Sequence, residues 1–144
     1  MNAPKLSDLE AEEALVAALL LFDDYAGLDE CTDDELFYDH TRAIISTVRM
    51  LRRADKPCGT VFVLAVLASQ GKLDALSWRG DTAEVLVLDI LSRRVADVQA
   101  YYGRHLGRLV RYYAVRRQML QDAQGAALET FQRVIRGPRG GVEL

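Results

Sequence analysis

Arginine side chains are the residues of this sequence whose type and spacing point most clearly to a chemical role. Arg104, Arg108 and Arg111 stand four and three residues apart, so one face of a helix presents all three guanidinium groups. Tyrosines flank this face, and arginine together with tyrosine is typical of the hot spots of protein interfaces. We therefore predict a surface that binds an acidic protein or a phosphate backbone. It consists of Arg104, Arg108, Arg111, Tyr112, Arg116 and Arg117. The competing interpretation is an exposed face that arginine merely keeps soluble.

Residues that could bind a metal ion or perform catalysis are few. Asp39 and His40 are adjacent, and residues 33–35 form an acidic run. A zinc site needs several ligands at matched spacing, and an EF-hand loop needs a glycine and a terminal glutamate that are missing here. The sequence contains neither the P-loop motif G-x-x-x-x-G-K-[ST] nor the dinucleotide motif G-x-G-x-x-G. We predict no metal site, no cofactor and no enzymatic activity.

Charge is distributed unevenly along the chain. Residues 1–40 carry twelve acidic side chains and one basic side chain, whereas residues 93–139 carry ten arginines and three acids. This pattern suggests that the two ends face different partners, or that copies associate end to end. The alternative is two solvated faces that differ only in sign. The formal net charge of −3 argues against a general polyanion binder, and so against direct nucleic-acid binding.

The composition is that of a soluble globular protein. A length of 144 residues suffices for one sizeable core. Cys31 and Cys58 stand far apart, which excludes a disulfide framework and favours a reducing compartment. The N-terminus is acidic where a signal peptide is basic, and its longest apolar run has nine residues, against the ~20 of a membrane span. We expect a cytoplasmic protein that does not associate with membranes.

Helical signals dominate the first two thirds of the chain. Residues 7–10 have the form of a capping box, and apolar residues at helical spacing predict a helix over residues 8–21 that is central to the core, with Leu19 at its centre. Further helices are predicted after Asp39, over the apolar run 61–68, and from residue 81 to about residue 94. Gly71 is placed to end the helix predicted over residues 61–68. The sequence therefore predicts an all-α fold, with a compact helical bundle over residues 1–94.

The last third has a narrower apolar pattern. A narrow stripe suits the seam of a coiled coil or a helical hairpin better than a globular core. Three glycines interrupt the pattern at ~1 kcal/mol each, so this element needs a partner helix. We predict that residues 95–136 form a long helix or helical hairpin for self-association into a dimer or higher oligomer, followed by a disordered tail over residues 137–144. The predicted seam is Val98, Tyr102, Leu106, Leu109 and Tyr113.

Four stretches together resemble a known family. They are PKLSDLEAEEALVAALLL at residues 4–21, ELFYDHTRAII at residues 35–45, KPCGTVFVLAVLASQGKL at residues 56–73, and RLVRYYAVRRQML at residues 108–120. In this respect the chain resembles the N-terminal domain of the bacterial replicative DNA helicase, the DnaB type. The first and third stretches carry the more specific motifs.

The resemblance implies a scaffold rather than a catalyst. In that family the N-terminal domains are all-helical, pair through helical hairpins, and form a collar on the helicase hexamer that docks primase and some helicase loaders. The chain is thus expected to be a non-catalytic scaffold of DNA replication, and a longer parent chain would be an ATP-dependent helicase. Two alternatives remain open: a standalone plasmid-type or phage-type modulator of the helicase or primase, and a helical DNA-binding module.

Overall fold

The computed structural model describes residues 6–77 and 82–136, and this part of the chain contains four α-helices and no strand. The helices are α1 (Asp8–Leu21), α2 (Asp39–Arg53), α3 (Thr60–Ser69) and α4 (Ala83–Arg136). Short 3₁₀ turns at Ala26–Asp29, Asp33–Glu35 and Leu73–Leu76 lie between them. The all-α prediction is confirmed. The tail predicted at residues 137–144 lies outside the described residues.

The chain divides into two compact units, Met1–Tyr112 and Tyr113–Leu144. The first unit contains α1 to α3 and the beginning of α4. The described part of the second unit is the remainder of α4, residues 113–136. The boundary predicted at residue 94 falls inside α4, because that helix does not end where its first apolar pattern ends.

Helix α1 is the centre of the first unit. Its N-terminus has the predicted capping box: the Ser7 hydroxyl accepts a hydrogen bond from the Glu10 amide at 3.2 Å, and the Glu10 carboxylate accepts one from the Ser7 amide at 2.9 Å. Every residue from 11 to 19 is buried, and Leu19 is completely inaccessible. A helix that is buried on all sides needs neighbours around it, and α2 and α4 are among those that contact α1.

Helix α3 ends as the sequence predicts. Gly71 adopts a positive φ of +67°, which glycine accepts without steric cost. The amide of Lys72 donates to the Leu67 carbonyl at 2.8 Å, and the amide of Gly71 donates to the Ala68 carbonyl at 3.1 Å. These two bonds are the pattern of a Schellman motif, so the C-terminal carbonyls of α3 are satisfied locally.

Helix α4 contains one break in its backbone, at Tyr102. This residue has φ +61° and ψ 157°, a conformation that residues with a side chain rarely adopt. The next amide, that of Gly103, donates to the Asp24 carboxylate at 2.7 Å. Asp24 therefore caps the helical segment that restarts after the break, since the first amides of a helix have no partner within it.

Glycines allow α4 to pass directly against the 3₁₀ turn Ala26–Asp29. A Cβ atom placed on Gly107 would lie 2.4 Å from the carbonyl oxygen of Gly27, and one on Gly27 would lie 2.4 Å from the carbonyl oxygen of Gly103. Such distances exclude any larger side chain. The sequence predicted that these glycines weaken the helix and require a partner, and for Gly103 and Gly107 the partner is the chain itself.

We expect Gly107→Ala to lower the free energy of unfolding by about 1–3 kcal/mol, because the added methyl group must push two backbones apart. Gly125→Ala is the matched control, since no atom lies within 4 Å of a Cβ at that position. It should stabilise its helix by roughly 0.5–1 kcal/mol through propensity alone. Chemical denaturation followed by circular dichroism measures both changes. Equal effects of the two substitutions would show that the close approach at Gly107 is absent.

Candidate functional site

Two carboxylates lie inside the core, and the sequence pattern did not single them out. Glu12 and Glu13 on α1 are 1% and 0% exposed. The Glu12 carboxylate accepts hydrogen bonds from the amides of Phe37 and Tyr38, at 2.8 and 3.3 Å, and from the Thr41 hydroxyl at 2.5 Å. It thus holds the N-terminal end of α2, where the helix dipole favours a negative charge.

Glu13 joins three helices through a histidine contact and two arginine ion pairs. Its carboxylate lies 3.4 Å from His40 Nε2 on α2 and 3.2 Å from each of the guanidinium groups of Arg93 and Arg94 on α4. Burial alone would raise the pKa of Glu13, but the hydrogen bond to His40 and the two arginines hold that pKa below its ordinary value. Glu13 is therefore a buried anion with its countercharges in place, and it has a structural role.

One signal in the sequence does mark this pair. Residues 11–19 are apolar apart from these two glutamates, so an uninterrupted buried helix must bury them as well. Buried carboxylates require partners, and arginine is the residue that most often supplies them. Arg93 and Arg94, about 80 residues further along the sequence, supply the positive charges that the buried Glu13 requires.

The predicted arginine face lies on the surface, but its charges are paired within the chain. Arg104 and Arg108 each approach Glu30 at 3.5 Å, and Arg111 lies 3.1 Å from Glu35. The three side chains are 54–60% exposed, so each pair contributes about 1 kcal/mol or less. Two acids of the N-terminal part of the chain, Glu30 and Glu35, therefore pair with these arginines, an internal pairing that was not among the arrangements expected from the charge distribution.

The other predicted partner-binding residues lie further along α4. Tyr112 is 45% exposed and is the last residue of the first unit. Arg116 is exposed and Arg117 is half-buried, and both belong to the second unit. The structure therefore distributes the predicted surface over two units rather than placing it on one.

The five residues predicted to form a self-association seam are also separated. Val98, Leu106 and Leu109 are 4%, 0% and 6% exposed and fill the core of their own chain. Tyr102 is 69% exposed at the break in α4, and Tyr113 is half-buried. The structure does not present these residues as one exposed seam, because the neighbouring glycines bring α4 against the N-terminal elements.

Residues 113–136, which belong to the element predicted for self-association, expose an apolar surface that lies beyond the five predicted seam residues. Spacings of three and four residues put Leu120, Ala123, Ala127, Phe131 and Val134 on one side of this helix, and we call these five residues the C-terminal stripe. Its large members are 55–68% exposed, and Leu128 and Ile135 border it at 56% and 49%. The opposite side is polar, with Gln121, Asp122, Glu129 and Gln132. Exposed apolar surface of this extent marks an interaction site.

No family model, no curated protein and no solved structure matches the chain. The fold and these surfaces are therefore the basis for a proposal on function. Within residues 6–77 and 82–136, no helix combines the length and apolar character needed to cross a membrane. The same residues contain no group of three or more His, Cys, Asp or Glu side chains arranged to hold a metal ion. The site with the strongest physical signal is therefore the C-terminal stripe.

The buried anion at Glu13 predicts a specific dependence of stability on pH. Its pKa in the folded state is below the ordinary value of 4.5, so the carboxylate stabilises the fold above that pH, and the stabilisation is lost as the pH falls through the folded pKa. Glu13→Gln should therefore be destabilised relative to wild type at neutral pH, and the difference should shrink in acid. Denaturant titrations at a series of pH values measure it. Glu129→Gln, an exposed control, should unfold like wild type at neutral pH. A difference for Glu13→Gln that stays constant with pH would contradict this role.

Proposed function

We propose that this chain is a non-catalytic protein-interaction scaffold that self-associates through residues 113–136. The observation that carries the proposal is the exposure of the C-terminal stripe along a helix with a polar opposite face. Most of the stability of a helix in a protein comes from burying an apolar face. A second helix that covers the stripe supplies this burial.

The size of the side chains in the stripe favours a second copy in antiparallel orientation. If two copies cross at Ala127, Leu120 of one lies opposite Val134 of the other, and Ala123 lies opposite Phe131. The largest side chain of the stripe, Phe131, then lies opposite the small Ala123, which favours close packing. Parallel pairing would set Phe131 against Phe131 and leave a void between two Ala123 side chains. A two-fold interface of this kind is the commonest form of homo-oligomer.

The proposed biological role is in DNA replication. The stretches at residues 4–21 and 56–73 resemble the N-terminal collar domain of the DnaB-type helicase, which assembles by self-association and docks primase or a loader. This role makes primase, the replicative helicase or a helicase loader the expected partner, and it includes a standalone modulator of these proteins. A DNA-binding module is disfavoured, because Arg104, Arg108 and Arg111 already pair with Glu30 and Glu35.

Charges placed in the stripe should abolish self-association. Wild type is expected to be at least a dimer at micromolar concentration by sedimentation velocity. The double variant Leu120→Glu, Phe131→Glu should sediment as a monomer, because pairing would bury unpaired charges. The control is Gln121→Glu, Gln132→Glu, which adds the same two charges to the polar side of the helix and should remain associated.

Circular dichroism of the first unit's unfolding transition checks that neither variant has lost its fold. A wild type that stays monomeric over this concentration range would refute self-association through the stripe. A control variant that dissociates like the stripe variant would show that net charge, rather than the apolar surface, governs association.

The replication role is tested with the primase and the replicative helicase encoded by the same genome. Each should bind the purified chain in an isothermal titration. A triple variant reverses the charge of the predicted partner face: Arg104→Glu, Arg108→Glu, Arg111→Glu. The free energy of unfolding should fall by about 1 kcal/mol or less for each exposed pair that is lost. Partner binding should weaken by about tenfold or more if that face is used. Absence of binding to both proteins would contradict the replication role while leaving self-association intact.

A further inference from the structure

Helix α3 leaves most of its apolar surface uncovered. Its sequence, TVFVLAVLAS, is apolar on every side, yet only Val63 and Leu67 are buried among its residues. Val61 is 76% exposed and Phe62 is 50% exposed, and Met50 on the adjacent α2 is 41% exposed. An apolar helix that buries a single narrow face in its own chain has further surface for a partner.

Phe62 and Met50 line a groove between α2 and α3. Its volume is about 480 Å³, and its apolar lining comprises Met50, Leu51, Ala54, Pro57, Phe62, Ala65 and Val66. A second groove of about 430 Å³ shares Met50, but polar side chains such as Ser46, Thr47 and Gln70 form much of its lining. The first groove, an apolar cleft between two helices, is the kind of site in which an amphipathic helix docks.

Each of the two grooves has one lysine among its lining residues. Among the described lining residues, Lys56 is the one charged side chain of the first groove. The adjoining groove is lined by Lys72, and by Arg42 and Asp39, which pair with each other at 3.7 Å. Within the described part of the chain, neither lysine forms an ion pair. The apolar groove therefore carries the positive charge of Lys56, and the mixed groove that adjoins it at Met50 carries that of Lys72.

We propose that this α2–α3 groove binds an amphipathic helix of another protein whose apolar stripe is flanked by acidic side chains. The apolar floor accepts the stripe, and the two lysines attract the flanking carboxylates. Charge complementarity of this kind governs which partner is accepted and how fast it arrives. The groove lies wholly in the first unit, so the proposal does not depend on self-association through the C-terminal stripe.

A second copy of this chain does not fit the groove. The exposed amphipathic helix that the chain offers is residues 113–136, where four arginines (Arg116, Arg117, Arg133 and Arg136) outnumber two acids, Asp122 and Glu129, and the arginines lie toward its two ends. Seating that helix in the groove would bring arginines toward Lys56 and Lys72. Like charges in an interface disfavour the wrong partner, so the occupant is a different and acidic helix.

The probe is a fluorescein-labelled synthetic peptide of about 15 residues, matching the 15 residues of α2, with leucines at helical spacing and glutamates on the remaining face. The matched peptide carries lysines in place of the glutamates. Fluorescence anisotropy should show micromolar binding of the acidic peptide and about tenfold weaker binding of the basic one. Equal affinities for the two peptides, or no binding of the acidic peptide, would overturn the proposal.

Substitutions then locate the binding. Phe62→Ser and the double variant Lys56→Glu, Lys72→Glu should each weaken binding of the acidic peptide by about tenfold. The control for Phe62→Ser is Leu88→Ser, at a 63% exposed apolar position on α4. The control for the lysine variant is the double variant Arg133→Glu, Arg136→Glu. Both controls should bind the acidic peptide like wild type. A control that loses as much affinity as its matched groove variant would place the binding elsewhere.

The titration is repeated with the monomeric variant Leu120→Glu, Phe131→Glu. Unchanged affinity is expected, because the groove and the stripe lie in different units. Loss of peptide binding in that variant would assign the binding to the stripe and overturn the groove proposal. Sedimentation of Phe62→Ser tests self-association separately, so the two proposals succeed or fail independently.

Discussion

Charge burial on α1 is the constraint on which the structure of the first unit depends. A helix surrounded on all sides carries two adjacent carboxylates, and each would be strongly unfavourable in an apolar core without partners. The Glu12 carboxylate accepts hydrogen bonds from the backbone amides just before α2. The Glu13 carboxylate is paired with His40, Arg93 and Arg94. The positions of α2 and α4 around α1 are therefore set by hydrogen bonds and charge as well as by apolar contact. Displacing α2 would leave the buried Glu12 carboxylate without its hydrogen-bond donors, and displacing α4 would leave Glu13 without its arginine countercharges.

Weaker interactions hold the part of α4 that follows Tyr102 against the N-terminal elements. Asp24 caps the helical segment that begins after Tyr102, and the glycines at 103 and 107 let that segment reach the turn that contains Gly27. On the exposed side of the same segment, Arg104, Arg108 and Arg111 meet Glu30 and Glu35. Part of the uneven charge of the sequence is therefore an internal pairing between N-terminal acids and arginines of α4.

Internal pairing changes which surfaces are available for function. Arginines that pair with glutamates of the same chain attract an acidic partner less strongly. Apolar surface that the chain leaves exposed is not buried by its own fold, so it is available to a partner. The C-terminal stripe and the groove between α2 and α3 are two such surfaces in the described residues. The groove has Lys56 among its lining residues. The proposed scaffold role and the proposed acidic partner rest on these two surfaces.

The sequence by itself determined the features that short-range physics governs. The capping box at Ser7, the buried α1, the glycine end of α3 and the all-α class follow from spacing and capping within a few residues, and the structure confirms each. Only the tertiary structure decided what residues 98–111 do. Helical periodicity shows that Leu106 and Leu109 share a face but not which surface covers it, and Gly103 and Gly107 weaken a helix unless a backbone approaches them. That information resides in contacts between residues about 80 positions apart, Asp24 with Gly103 and Glu13 with Arg93, and no local pattern specifies such pairings.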